Sequence, residues 1–210
     1  DLGSASYGFA ADERLDWRLS PSWKLSLDVG GVWEAWPDDL LAMTKELDRW
    51  EASVNPKLTW YPTADLAVDA GYQLTVRQYL NAVYAPDTLS KQYLVHEADL
   101  GLRWTPGSVV RLSLDYAFTW NDSRRYTVTV FGPGAVVVPD YYDYLEHALD
   151  LKADLRWSAN LRTVFGAGAA RQGFVTYPAR DATQTFTGDT RTDWHVDADA
   201  EVAWRFWPRK

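Results

Sequence analysis

The sequence predicts an all-β fold, an antiparallel up-and-down transmembrane β-barrel, and three observations support this prediction. Apolar and polar residues alternate strictly along most of the chain, as in strands with one apolar and one polar face. Short turns alternate with long loops between the alternating segments. Tryptophan, with 12 of the 210 residues, falls near both ends of these segments on their apolar side.

Composition and charge exclude several other classes of protein. The chain has no cysteine, so disulfides, thiolate metal sites and a cysteine nucleophile are excluded within it. No stretch approaches 18 consecutive apolar residues, so no transmembrane helix is predicted. The net charge of −8 argues against a nucleic-acid partner. A mean hydropathy of −0.34 does not exclude a membrane barrel, because alternating apolar and polar residues average out.

The alternation predicts about nine strands, while helical periodicity is nearly absent. The predicted strands are residues 7–19, 23–29, 49–60, 65–79, 92–104, 109–121, 144–157, 161–172 and 191–206. Only residues 38–48 are compatible with a short helical turn, which would lie in a loop. We therefore treat residues 1–210 as a single barrel region without a separate soluble domain.

Short and long connections follow each other regularly. Short turns are predicted at 20–22, 61–64, 105–108 and 158–160, and long loops at 37–48, 80–91, 122–143 and 173–190. Bacterial outer-membrane barrels have tight periplasmic turns and longer extracellular loops. On this interpretation the first strand descends toward the periplasm.

Two rows of tryptophan predict where a membrane would begin and end, because the indole ring favours the interface between lipid and water. Trp50 and Trp60 are ten residues apart on one face, as are Trp194 and Trp204. Ten tilted strand residues span about 25 Å, the height of an outer-membrane apolar band. The predicted girdle residues are Trp17, Trp23, Trp60, Trp104, Trp157 and Trp204 beside the short turns, and Trp33, Trp50, Trp120 and Trp194 near the long loops.

Two other β folds share part of this sequence pattern. The tryptophans that end the descending strands recur every 43 to 53 residues, a period that also occurs in propellers. A propeller blade has four short strands, however, whereas each repeat here has two long ones. A soluble sandwich or small soluble barrel also alternates, but its strands are about five or six residues long and would not collect aromatics at both ends of the outer face.

The odd number of strands indicates that the barrel is a segment of a larger one. Nine strands leave the chain ends on opposite sides of the membrane, whereas a closed antiparallel barrel needs an even number. The start at Asp1 favours a segment of a larger barrel over a further strand that the alternation does not reveal. The last strand, from Ala198 to Phe206, resembles the C-terminal assembly signal of outer-membrane proteins, although residues 207–210 overrun it.

The residues on the polar side of the predicted strands carry charges of both signs, and we expect them to line the lumen. In a narrow barrel these side chains would pair and fill the interior, whereas in a wide one they would line water and favour cations, since acids dominate. Simple wetting of the lumen is the alternative. The expected lumen residues are Arg14, Asp16, Arg49, Glu51, Asp69, Asp99, Arg111, Asp115, Asp150, Lys152, Asp154, Asp193, His195, Asp197, Asp199 and Glu201.

Histidine chemistry gives only a minor alternative. His195 between Asp193 and Asp197 has the composition of a general base in an outer-membrane hydrolase, but no nucleophile motif accompanies it. His96 and His147 fall on the apolar parity, which favours a role at the membrane interface. The three histidines have no zinc-site spacing. We therefore expect neither an enzyme nor a bound metal or cofactor.

Three local features predict irregularities. Glu13 falls on the apolar parity, so a β-bulge that turns it inward is expected. Pro56 cannot donate a ladder hydrogen bond and indicates a local disturbance. Residues 126–138 are apolar for an exposed loop; they are expected to form an extra hairpin, to fold into the lumen, or to contact a partner protein at loop 122–143.

Three segments carry a resemblance to known proteins: Trp50–Tyr72, Glu97–Tyr116 (EADLGLRWTPGSVVRLSLDY) and Glu146–Trp157. They resemble two groups of large bacterial outer-membrane barrels, the porins associated with exopolysaccharide loci and the barrels that sheathe multihaem cytochromes in electron conduits. The first resemblance implies a pore or export barrel in contact with membrane lipid and lipopolysaccharide. The second implies a sheath that grips a partner protein. Neither implies catalytic residues, and the chain has no Cys-x-x-Cys-His motif for haem.

Overall fold

The computed structural model describes residues 7–35, 48–79, 92–123, 127–130, 136–139, 142–180, 183 and 185–206. These residues form β-strands and the connections between them. The helical turn predicted for residues 38–48 lies outside the described residues, apart from Asp48. Across the described ranges, no helix is long and apolar enough to span a membrane.

Nine long strands form one antiparallel sheet in which each strand pairs with its neighbours along the chain. They are β1 (Tyr7–Ser20), β2 (Trp23–Ala35), β3 (Arg49–Thr63), β4 (Leu66–Tyr79), β5 (Gln92–Trp104), β6 (Val110–Asp122), β9 (Tyr144–Arg156), β10 (Leu161–Arg180) and β11 (Phe186–Trp204). Two short strands, β7 (Thr127–Val130) and β8 (Val136–Pro139), pair with each other between β6 and β9. The predicted all-β, up-and-down fold with nine main strands is confirmed, and so is the extra hairpin.

The side-chain pattern fixes the register of the strands. Because side chains alternate between faces, a slip of one residue would move every apolar side chain of a strand to the polar face. Trp23 lies opposite Trp60, and their rings stack with centroids 5.8 Å apart. Trp33 lies opposite both Phe9 and Trp50. Such aromatic cross-strand contacts favour the observed register over its neighbours.

Three of the short turns lie where the sequence predicts them, whereas the turn predicted at 61–64 lies at residues 64–65, because β3 continues to Thr63. The turn between β5 and β6 requires glycine at one position, since Gly107 has a φ of 72°, a conformation that other residues rarely adopt. In the turn after β9, the Ser158 hydroxyl accepts hydrogen bonds from the backbone N–H groups of Asn160 and Leu161. Glycine therefore allows the backbone conformation of the first turn, and serine stabilises the second turn through its side-chain hydrogen bonds.

Two local predictions are wrong. The loop predicted at 173–190 is largely strand, because β10 continues to Arg180 and β11 already begins at Phe186. Alternation is lost there because the register shifts after Gly173 and again after Pro178. The bulge predicted at Glu13 is also absent: Glu13 lies opposite Val29 in an unbroken ladder.

The disturbance predicted at Pro56 is observed in the ladder between β3 and β4. Paired residues run from Arg49 to Val54 and resume at Lys57, so Asn55 and Pro56 are left out without a change of register. The Asn55 side-chain oxygen is buried and accepts no hydrogen bond from the described residues. The missing N–H of proline thus interrupts the pairing but does not shift the strand.

The two faces of the sheet have opposite character. Hydrophobic side chains on one face are widely exposed, for example Val196 at 78% and Leu100 at 57%. Among the described residues only Ala67 and Val164 are buried hydrophobics, and most buried side chains are polar. A soluble domain buries its apolar face, so this arrangement is the reverse of a soluble sandwich.

Stagger between the strands indicates that they are tilted. The row of cross-strand partners that begins at Trp194 in β11, continued in the same register across the unpaired Pro56, reaches Leu15 in β1. Leu15 lies six residues below Phe9, which is at the long-loop end of β1. Six residues correspond to about 20 Å along the strands, and eight strand-to-strand steps to about 38 Å across the sheet. The strands are therefore tilted by roughly 30° from the perpendicular to the line of tryptophans. The described strands form an open sheet, with β1 and β11 as its edges.

Candidate functional site

The charged face of the sheet is the candidate site. All the residues predicted to line a lumen lie on this one face, since their positions alternate with those of the tryptophans and their rows are in register. The ten predicted girdle tryptophans lie on the opposite face. The structure therefore places the two predicted sets on opposite faces of the sheet.

Charges on the first two strands are largely neutralised by close partners. Asp16 accepts a hydrogen bond of 2.7 Å from the Ser26 hydroxyl and lies 3.1 Å from the Lys24 ammonium. The Arg14 guanidinium lies between Asp16, at 3.4 Å, and Asp28, at 3.6 Å. These five side chains form a cluster with no large excess of either sign.

Near the long-loop end, acids on one strand meet bases on the next. Arg49 in β3 lies 3.2 Å from Glu34 in β2. Arg77 in β4 lies 2.6 Å from Glu51 in β3. Both ion pairs are half-buried on the sheet surface, so each charge is compensated across one strand boundary.

A glycine allows one ion pair to cross a whole strand. Lys57 in β3 and Asp99 in β5 are both cross-strand partners of Gly71 in β4, and their charged groups lie 3.4 Å apart. A Cβ at position 71 would meet the Asp99 carboxylate. Close by, the buried Asp69 accepts a hydrogen bond of 2.6 Å from Thr59 and lies 2.8 Å from the Arg103 guanidinium.

Asp154 in β9 is a firmly held carboxylate on the other half of the sheet, which comprises β6, β9, β10 and β11. It is only 5% exposed, and both of its oxygens accept hydrogen bonds from Arg162, at 2.8 and 2.9 Å. This two-point geometry matches the planar guanidinium to the planar carboxylate. Because the carboxylate is shielded from water, its charge needs compensation, which comes first from Arg162 and at longer range from Arg156 and Arg111.

Other acids on this half of the sheet form no ion pair or hydrogen bond with the part of the chain that is described. We call them the acidic belt: Asp115, Asp150, Asp197, Asp199 and Glu201. Asp150 and Asp197 approach Gly168 from opposite sides, with an oxygen of each 2.7 and 2.6 Å from where a Cβ would stand. Two carboxylates are thus held near each other over one glycine, without a basic partner.

Arginines collect at the short-turn end of the same face, a feature that the predicted lumen set largely missed. We call this group the arginine rim: Arg18, Arg103, Arg111, Arg156, Arg162 and Arg205. Each of the first five lies within three residues of a short turn. The backbone N–H of Arg205 donates to the Asn160 carbonyl in the turn after β9. The distance from each short turn could have revealed the rim in the sequence.

His195 lies on the polar face of β11, between Asp193 and Asp197. No hydrogen bond joins His195 to Asp193 or Asp197 within the described ranges, although all three share a face. Asp193 instead accepts a hydrogen bond of 2.9 Å from Arg191, and this carboxylate raises the pKa of the guanidinium. The described residues also contain no group of three or more side chains placed to hold a metal ion.

Comparisons with models of protein families, with curated proteins and with solved structures find no match to this chain. The resemblance to porins and conduit barrels therefore stays a prediction.

Replacing Arg162 by glutamine should lower stability, because the shielded Asp154 carboxylate would lose both of its charged hydrogen bonds. We expect a clearly lower denaturant midpoint for Arg162→Gln than for Arg205→Gln, which removes the same charge from an exposed position that forms no ion pair with the described residues. Asp154→Asn combined with Arg162→Gln should regain part of the loss. Equal midpoints for the two single variants would contradict the role given to this ion pair.

Proposed function

We propose that this chain forms part of the wall of a bacterial outer-membrane barrel that acts as a pore or export channel with a net acidic lumen. One observation carries the proposal: a single sheet exposes a continuous apolar face bounded by tryptophans and collects its charges on the other face. Lipid is the solvent that such an apolar face requires, and water is the solvent that the charged face requires.

Strand number supports completion of the barrel by further strands, from this polypeptide or another. β1 and β11 run in the same direction, because eight successive antiparallel pairings separate them. Direct closure between them would be a parallel pairing, which bacterial single-chain barrels do not use. An odd number of added strands would allow an antiparallel closure and would satisfy the backbone groups of both edges.

The residues at the centre of the charged face support an open channel rather than a filled interior. Small residues lie in its centre: Gly71, Gly101, Ala117, Ala148, Gly166, Gly168 and Ala170. The charged side chains around them make contacts along the sheet, as Lys57 does with Asp99 across Gly71. Side chains that lie along the wall leave the space in front of it to water.

The distribution of charge supports a preference for cations. The carboxylates of the acidic belt form no ion pair with the described residues, although Glu201 interacts electrostatically with Arg162. The acids of β1 to β4 described above are instead neutralised by close neighbours. Rings of uncompensated acids attract cations in channels. The arginine rim at the short-turn end adds a second, opposite zone that an ion would pass before or after the belt.

A protein-gripping sheath is the second candidate, and the same small residues favour it. Because glycine and alanine leave the centre of the face shallow, a partner surface can approach the strands closely there. Such a partner would need basic groups opposite the acidic belt. Conductance separates the two functions, since a sheath without its partner is expected to carry no steady current.

An arginine on the apolar face tests the membrane location. Leu100→Arg should destabilise the protein in lipid vesicles by about 2–4 kcal/mol, the usual effect of arginine near the middle of the bilayer on an outward barrel position. Thr119→Arg is the control, since it adds the same charge on the polar face between Glu97 and Glu146. The free energy of unfolding is measured in urea. A protein that stays soluble without detergent and tolerates Leu100→Arg would refute the proposal.

Neutralising the belt tests the pore function. In planar bilayers the wild-type protein should give a steady, cation-preferring current, and Asp150→Asn with Asp197→Asn should reduce that preference, measured as a reversal-potential shift in a salt gradient. Glu13→Gln, which removes a carboxylate from the apolar face, should leave the reversal potential unchanged. Unchanged selectivity in the double variant would contradict the role of the belt, and absence of current would favour the sheath.

A further inference from the structure

Basic side chains on the apolar face gather in one place. Along the band between the tryptophan girdles, the described residues place His96, His147 and Arg171 on this face, on β5, β9 and β10. β5, β6, β9 and β10 are consecutive in the sheet, so the three side chains form one patch. The patch lies beside Trp120 and Trp194, at the end of the sheet that carries the long connections.

Each histidine is held in the same way. The His96 Nδ1 atom is 2.6 Å from the Tyr72 hydroxyl, and its ring stacks on Trp120 with centroids 5.0 Å apart. The His147 Nδ1 atom is 2.7 Å from the Tyr116 hydroxyl, and its ring lies 5.1 Å from Phe118. When the tyrosine hydroxyl donates to Nδ1, the ring proton lies on Nε2, which can donate to a ligand.

Arg171 adds a permanent positive charge next to one of these histidines. Arg171 is the cross-strand partner of His147, which places their Cβ atoms about 5 Å apart. Its guanidinium lies 5.9 Å from the centre of the Trp194 ring. Arg171 is exposed and makes no ion pair with the described part of the chain, so its charge is uncompensated by the sheet. A cation on a lipid-facing surface is costly unless an anion accompanies it.

We propose that His96, His147 and Arg171 bind the phosphate groups of the lipid A part of lipopolysaccharide in the leaflet at the long-loop end. This inference rests on the membrane location proposed above. Arginine pairs with phosphate through two parallel hydrogen bonds, and the two Nε2–H groups supply further donors. The rings of Trp120, Phe118 and Trp194 supply apolar surface for the sugar and the upper acyl chains.

The binding of diphosphoryl lipid A tests the patch. The protein is reconstituted in nanodiscs of zwitterionic phospholipid and titrated with lipid A, and bound lipid is counted by native mass spectrometry. His147→Gln with Arg171→Gln should weaken binding roughly tenfold or more, because charge-assisted hydrogen bonds are lost. The matched control is His195→Gln with Arg111→Gln, which removes the same two side-chain types from the polar face and should leave lipid A affinity unchanged.

The outcomes separate failure of this inference from failure of the membrane location. Equal affinities for the wild type and both double variants, or an equal loss in both variants, would refute the phosphate site while leaving the barrel proposal intact. Displacement of lipid A by millimolar inorganic phosphate would show a site for free phosphate instead. If the wild-type protein does not enter nanodiscs at all, both proposals fail. Arg171→Gln alone, which keeps both tyrosine–histidine contacts, serves if the double variant does not fold.

Discussion

The alternation of side chains across a single sheet controls the rest of this structure. Every strand places apolar residues on one face and polar residues on the other, and nothing among the described residues covers the apolar face. Apolar surface stabilises a fold by about 25 cal/mol for each Å² removed from water, so a face of this size left in solvent would contribute none of that stabilisation. In the membrane location proposed above, lipid would replace water on this face and would supply the stabilisation without further protein contacts.

On the polar face, the requirement is to compensate charges rather than to bury hydrocarbon. Small residues let long side chains lie flat and meet across strands, as over Gly71, while the shielded Asp154 is matched by a two-point partner in Arg162. These contacts also resist sliding of one strand past another, because a shift of register would separate each acid from its base. The polar face thus supports the same register that the tryptophan contacts favour on the other face.

The sequence predicted the strands and turns well because both signals are local. Alternation identifies a strand from a few residues, and the turn at 105–108 is marked by proline and glycine. Apolar and polar residues stop alternating after Gly173, so the sequence did not predict that β10 and β11 extend beyond this point. There the backbone pairing between β10 and β11 maintains the strands without an alternating side-chain pattern. For Glu13 the error was to assume that a charge on the apolar face must be turned inward; the ladder with β2 holds it in place.

Contacts between distant strands could not be predicted, because they depend on register. Arg162 and Asp154, or Tyr72 and His96, meet only when two hairpins are aligned to the residue. The predicted lumen set therefore identified residues of one face of the sheet, but not the division of that face into neutralised acids, the acidic belt and the arginine rim. That division emerges when each charge is placed beside its cross-strand neighbours.

The acidic belt bears on the choice between a channel and a sheath. Carboxylates without basic partners are stable only where water or countercharges reach them, since dehydration of an unpaired charge costs several kcal/mol. A partner protein packed against Asp150 and Asp197 would have to bring its own lysines or arginines to both, at the spacing set by Gly168. Water and mobile cations satisfy the same carboxylates without any such match. The belt therefore favours a hydrated lumen, and it allows a sheath only around a strongly basic surface.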